Sequence, residues 1–122
     1  MIAVLFEVWP HAETRQTYLT IAQTLADSLH EVDGFLSIER FQSLSEPDKL
    51  LSLSFWRDEQ AVAQWRNLDQ HRAAQALGRA QLFRDYRLRI AAVIRDYGMN
   101  AREQAPQDSR AKLEQSQLPS RR

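Results

Sequence analysis

The chain has 122 residues, which suits one domain of helices packed on a sheet. Lys and Arg total 16, as do Asp and Glu, so the formal net charge is zero and the basic stripe of a nucleic-acid binder is not expected. There is no cysteine, which excludes disulfides, thiolate nucleophiles and cysteine-based metal sites.

Ile2 to Trp9 is rich in β-branched and aromatic residues and reads as a strand that Pro10 ends. Its start has no basic region and no small-residue cleavage site, so no secretory leader is expected. No apolar run in the chain approaches the roughly 18 residues of a membrane span. A cytoplasmic protein without membrane contact is the expectation. Thr14 is placed to cap a helix in which Tyr18, Ile21, Ala22, Leu25, Leu29 and Val32 recur at helical spacing. Asp33-Gly34 closes that helix, with glycine free to take the left-handed conformation. Phe35 to Leu44 is a second strand, with Phe35, Ser37, Glu39 and Phe41 on one face and Leu36, Ile38 and Arg40 on the other. The turn Ser45-Glu46-Pro47-Asp48 leads into a third strand, Leu50 to Trp56, and the two make a hairpin. Asp58-Glu59 opens a second helix, since carboxylates favour its free N–H groups. Ala61, Val62 and Trp65 form its inner stripe. A break near Asn67-Leu68-Asp69 is expected before the helix resumes through His71, Ala74 and Leu77 to Gly78. Arg84 to Tyr97 reads as a long fourth strand.

The order β-α-β-β-α-β predicts an α+β, ferredoxin-like fold: an antiparallel four-stranded sheet with both helices on one face. Strands one and four carry apolar residues on both faces, which a half-solvated antiparallel sheet does not. The second face is therefore expected to pack on another copy, as a two-fold homodimer. The predicted domain covers residues 1–98. Residues 99–122 form a polar tail that cannot fold alone and is expected to pack on the partner subunit, with Asp108-Ser109 capping a short helix through Gln115.

Three side chains stand out as candidates for chemistry, each beside a plainer reading. Trp65 is either a core aromatic or a wall that stacks on a planar ligand. His71 is either a helix histidine bonded locally or a proton acceptor near neutral pH. On one unbroken helix it would lie about 240° around from Trp65, so only a break lets the two share a face. Tyr86 either packs in its strand or hydrogen-bonds a reacting oxygen. Arg87, Arg89 and Arg95 share a strand face and suit ion pairs with Glu7 or Glu39 better than a site. Trp9 and His11 flank Pro10 at a strand end, and His30 stands near a helix C-terminus. There is no phosphate-cradling glycine loop, dinucleotide fingerprint, H-x-x-x-H motif or Ser-His-Asp signature, so neither a cofactor nor a metal is expected.

The element order, Gly34-Phe35, Phe55-Trp56-Arg57-Asp58-Glu59-Gln60-Ala61, Trp65 with His71, and Tyr86 through Arg95-Asp96-Tyr97 resemble the antibiotic biosynthesis monooxygenase (ABM) domain family of the dimeric α+β barrel superfamily. The resemblance implies a dimer closing into an α+β barrel, with a pocket between helices and sheet in each subunit. Its members include cofactor-independent monooxygenases of phenols and quinols, heme-degrading proteins, isomerases and proteins of no known activity, so fold alone leaves the chemistry open. The leading expectation is a cofactor-independent monooxygenase that oxidises a small planar phenol or quinol with dioxygen. In it Trp65 and Asn67 contact the substrate, His71 is the base or orienter, and Tyr86 bonds the reacting oxygen. The alternative is a non-catalytic ligand-binding or stress-associated dimer. Heme-degrading relatives resemble one another in a first-strand Asn and a ligand His ten residues after the helix Trp. Here that position is Gln75 and the first strand has no Asn, which counts against heme degradation.

Overall fold

The β-branched run near the N-terminus forms β1, Ile2–Pro10, a central strand of a four-stranded antiparallel sheet. A 3-10 turn at Ala12–Thr14 leads to helix α1, Arg15–Leu29. The hairpin strands β2, Phe35–Gln42, and β3, Leu50–Trp56, follow, and then helices α2, Glu59–Arg66, and α3, Asp69–Leu77. A π-helical turn at Gly78–Leu82 enters β4, Phe83–Ala92, and a last helix, α4, spans Gln107–Ser116. This is a computed structural model; it describes residues 1–116, divided into the unit Met1–Ala92 and the segment from Val93 onward. The strand order is β2-β3-β1-β4, each neighbouring pair is antiparallel, and the helices of the first unit pack on one face. This is the expected ferredoxin-like arrangement. Among the described residues no helix is long and apolar enough to cross a membrane.

The core between sheet and helices has two centres. Val4, Leu29, Trp56, Ala61 and Val62 form one; Val8, Tyr18, Ala22, Leu50 and Leu82 form the other. Trp56 anchors the first. It is 0% exposed, meets Phe35 edge-on at 5.2 Å and stacks on Trp65 at 5.0 Å. Its Nε1–H donates to Ser54 Oγ at 2.9 Å, which supplies the partner that a buried indole N–H requires.

Three local expectations are corrected. Simple alternation sets Phe35 on the face opposite Ile38. A bulge between Phe35 and Ser37 shifts the register, and both Phe35 and Ile38 pack on the first core centre. Thr14 does not cap α1 through its side chain; its hydroxyl donates instead to the carbonyls of His11 at 3.1 Å and Leu82 at 2.8 Å. The fourth strand ends at Ala92 rather than Tyr97, because its ladder partner β1 begins at Ile2, which pairs with Ala92, and further residues have no strand to join. The expected break in the second helix is present between α2 and α3, and Asp58 caps α2 by accepting from the Ala61 N–H at 2.9 Å.

Gly34 takes φ +91°, and a Cβ there would stand 2.7 Å from the Ala61 Cβ. Its carbonyl accepts from Arg57 N–H at 2.8 Å, while the Arg57 guanidinium forks onto Asp33 with both bonds at 3.1 Å. Gly34→Ala combines left-handed strain with a clash on a buried helix, so we expect a loss of about 3 kcal/mol, read from urea unfolding midpoints. An unchanged midpoint would show that this turn relaxes freely.

In the segment from Val93, the Arg102 guanidinium lies over the Tyr97 ring at 5.2 Å, and the Asp96 N–H donates to Gln104 Oε1 at 2.8 Å. The short helix expected after Asp108 is α4, where Asp108 Oδ1 accepts from the Ser109 N–H at 2.7 Å. The end of the expected tail, residues 117–122, lies outside the described residues.

Candidate functional site

Strand β3 explains why a cavity exists. Its register with β1 and β2 turns Leu50, Ser52, Ser54 and Trp56 toward the helices, and Leu51, Leu53 and Phe55 away from them. Two small serines in the middle of the inner face, opposite Ala22 and Ala26 of α1 and Ala74 of α3, leave space unfilled. The resulting cavity is about 370 Å³ and lies between the sheet and the helices. That volume suits a small organic molecule. Val4, Phe6, Ile38, Leu88 and Ile90 make its floor, and Leu25, Leu29, Val62 and Leu82 are among its apolar walls.

The helix break brings two candidates together. Asn67 ends α2: its N–H and its Nδ2 both donate to the Ala63 carbonyl, at 3.1 and 2.8 Å. Leu68 then takes an extended conformation, φ −65° and ψ 137°, before α3 starts. The change of axis turns His71 onto the side of Trp65, where the ring centroids are 4.2 Å apart. Trp56, Trp65 and His71 thus form a continuous aromatic row, stacked at the first contact and tilted by 48° at the second, and the last two line the cavity. His71 is half-buried, and among the described residues its buried Nδ1 has no hydrogen-bond partner. Burial, helped by the neighbouring Arg72 charge, lowers its pKa to about 4, so the imidazole is neutral around pH 7.

Tyr86 also lines the cavity, from β4. Its ring packs against Phe6 at 5.7 Å and Phe83 at 6.0 Å, and its hydroxyl accepts from Arg79 Nη1 at 2.8 Å. With that lone pair occupied by a cation, the phenol proton is free to donate into the cavity. Gly78 allows this corner to close, since a Cβ there would lie 2.4 Å from the Phe83 ring. Asn67 stands apart from these three. It is exposed, does not line the cavity, and its Oδ1 accepts from Arg72. Its visible work is to end α2.

Arg79, Arg40 and Tyr18 were not singled out by the sequence reading, and all three line the cavity. Arg40 of β2 donates from Nη2 to the Ala22 carbonyl at 3.1 Å, while its buried Nε has no partner among the described residues. Burial raises the Tyr18 pKa, and the nearby Arg40 charge opposes part of that rise. A signal for Arg40 existed: it alternates with Ile38 on what proves to be the inner face. Arg89 is engaged as expected in an ion pair, with Glu7 at 2.5 Å, and Lys49 joins the same carboxylate at 2.7 Å. Trp9 and His11 do not line the cavity; Trp9 Nε1–H donates to Glu46 Oε1 at 3.0 Å.

Residues 1–77 match the family model described as antibiotic biosynthesis monooxygenase. The jasmonate monooxygenase ABM of Pyricularia oryzae is 46% identical over 93 residues, which are 76% of this chain and 43% of that protein. The chain therefore spans less than half the length of that relative. The protein YqjZ of Bacillus subtilis is 29% identical over 85 residues, covering 69% of this chain and 72% of its own. Among solved structures, Rv0793 of Mycobacterium tuberculosis superposes with a TM-score of 0.72 at 16% identity, over 80% of this chain and 98% of that one, a likeness of fold alone. The ferredoxin-like sheet, the cavity beneath its helices and the match over more than half of its length agree: the chain belongs to the antibiotic biosynthesis monooxygenase (ABM) family.

Proposed function

We propose that this protein is a cofactor-independent monooxygenase that oxidises a small planar phenol or quinol with dioxygen. The observation that carries the reading is His71: a neutral imidazole against the Trp65 ring at the wall of a cavity that, among the described residues, no carboxylate lines. A hydroxyl on a ring packed against Trp65 would lie beside the imidazole. Transfer of its proton to His71 leaves a phenolate, and the phenolate charge stabilises the imidazolium that burial otherwise disfavours. An electron-rich phenolate passes an electron to dioxygen far more readily than the phenol does. The balance then closes on substrate and dioxygen alone. One oxygen atom enters a ring C–H, the other leaves as water, and oxidation of the quinol to the quinone supplies the two further electrons. Tyr86, held by Arg79, donates to the anionic oxygen as the charge moves.

The proposal includes a homodimer. The sheet face turned away from the helices carries Leu5, Leu51, Leu53 and Phe55, more apolar than a solvated face requires. A second copy covers it, with the polar segment after residue 98 packed on the partner, and sedimentation at micromolar concentration reads the assembly.

The test is dioxygen consumption across a panel of hydroquinones and anthrones, with jasmonate added because a relative's name carries it. We expect saturable uptake with a planar quinol, about tenfold to a hundredfold slower in Tyr86→Phe through kcat, since one donor to the developing anion is lost. No uptake above buffer across the panel would reject catalysis and leave the cavity as a ligand-binding site.

A further inference from the structure

The cavity has a charge of one sign. Arg40, Arg66 and Arg79 line it, and among the described residues no Asp or Glu does. None of the three takes part in an ion pair among those residues. Arg79 is committed to Tyr86, and Arg66 is exposed on α2. Arg40 differs from both. It is half-buried on the inner face of the sheet, its Nη2 donates to a backbone carbonyl, its charge stands beside the Tyr18 hydroxyl, and among the described residues no carboxylate pairs with it. A guanidinium at a cavity wall without a carboxylate leaves its charge uncompensated, and a planar oxyanion fits its fork best.

Register gives the distance from Arg40 to the reacting corner. Arg40 pairs with Ser52, Ser52 with Phe6, and Phe6 with Leu88, which forms one row across all four strands of the inner face. Leu88 therefore lies three strand spacings from Arg40, and Tyr86, two residues further along β4, stands about 16 Å from Arg40 along the backbone. Both side chains reach inward, and the apolar floor between them suits one or two fused rings.

We infer that the substrate is an aromatic carboxylate, bound with its carboxylate on Arg40 and its hydroxyl at His71 and Tyr86. The inference rests on the oxygenase reading for what happens at the hydroxyl end; the carboxylate end stands on Arg40 alone. Arg40 is here a specificity-determining residue, and it fixes which edge of the ring meets the base.

Calorimetric titration with 6-hydroxy-2-naphthoate and with its neutral, isosteric primary amide tests this. The wild type binds the acid about tenfold or more tightly than the amide, the difference expected for one charge-assisted hydrogen bond. Arg40→Met reduces that ratio to near one, and Arg40→Lys retains part of it. Equal affinity for acid and amide in the wild type, or no binding of either up to millimolar concentration, overturns the inference. So does a preference that survives in a folded Arg40→Met. The wild-type comparison needs no variant, so a folding defect in Arg40→Met leaves the test intact. The oxygenase reading fails separately, by absence of dioxygen uptake while the acid preference persists.

Discussion

An alanine at position 71 is expected to lower kcat for quinol oxidation by about 10²- to 10⁴-fold, the range for loss of a positioned proton acceptor. The lining of the cavity explains why no other group replaces it. Trp65 cannot accept a proton, the Tyr86 hydroxyl already accepts from Arg79, and among the described residues no carboxylate lines the cavity. Because burial holds the His71 pKa near 4, its protonation state is constant from about pH 5.5 to 8, and the wild-type rate should show no acid limb from this group in that window. The same shift bears on stability. The folded pKa of about 4 lies below the ordinary histidine value of 6.5, so the unfolded chain takes up the proton first as pH falls. Stability from this group is complete above 6.5 and is lost progressively as pH falls toward 4. Partial exposure screens the effect, and a loss of about 1–2 kcal/mol is a reasonable scale. His71→Ala removes that slope while abolishing turnover. Chemical denaturation at a series of pH values reads the first effect and oxygen electrode traces the second. Turnover in His71→Ala within threefold of wild type would falsify the assignment of His71 as the base.

Trp56→Ala is expected to cost about 4 kcal/mol, within the range for emptying a fully buried aromatic site. Against the roughly 5–15 kcal/mol of a typical domain, that is about a quarter or more of the total. Trp56 joins β3 to α2: Ala61 and Val62 belong to its cluster, Phe35 meets its edge and Trp65 its face. Removal also takes away the support behind Trp65, and through it His71, so substrate affinity should weaken even where the variant is folded. Trp56→Phe restores much of the volume but not the hydrogen bond to Ser54 Oγ, and should lose about half as much. Urea midpoints give the stability and titration of a bound quinol gives the affinity. Equal losses in the two variants would place the cost in the hydrogen bond rather than in the cavity.

The sequence by itself determined the fold. Runs of β-branched and aromatic residues marked the strands, the 3.6-residue stripe marked α1, and Asp58 and Gly34 punctuated elements where the backbone requires a cap or a positive φ. These signals are local, because each depends on which faces of one element can be wetted. Trp65, His71 and Tyr86 were legible as residue types suited to chemistry, and the helix break that joins the first two was legible at Asn67-Leu68-Asp69. Other features were settled only when elements met. The length of the fourth strand depended on where its ladder partner begins, and the facing of Phe35 depended on a bulge. Asn67 was taken up by the end of α2 rather than by the cavity. The cavity itself arises because Ser52 and Ser54 face Ala22, Ala26 and Ala74 across a layer, a pairing of small residues from distant segments. The isolation of Arg40 and the neutrality of His71 are likewise tertiary facts. A charge on a strand is ordinary until packing withholds its partner, and a histidine is ordinary until packing removes its water.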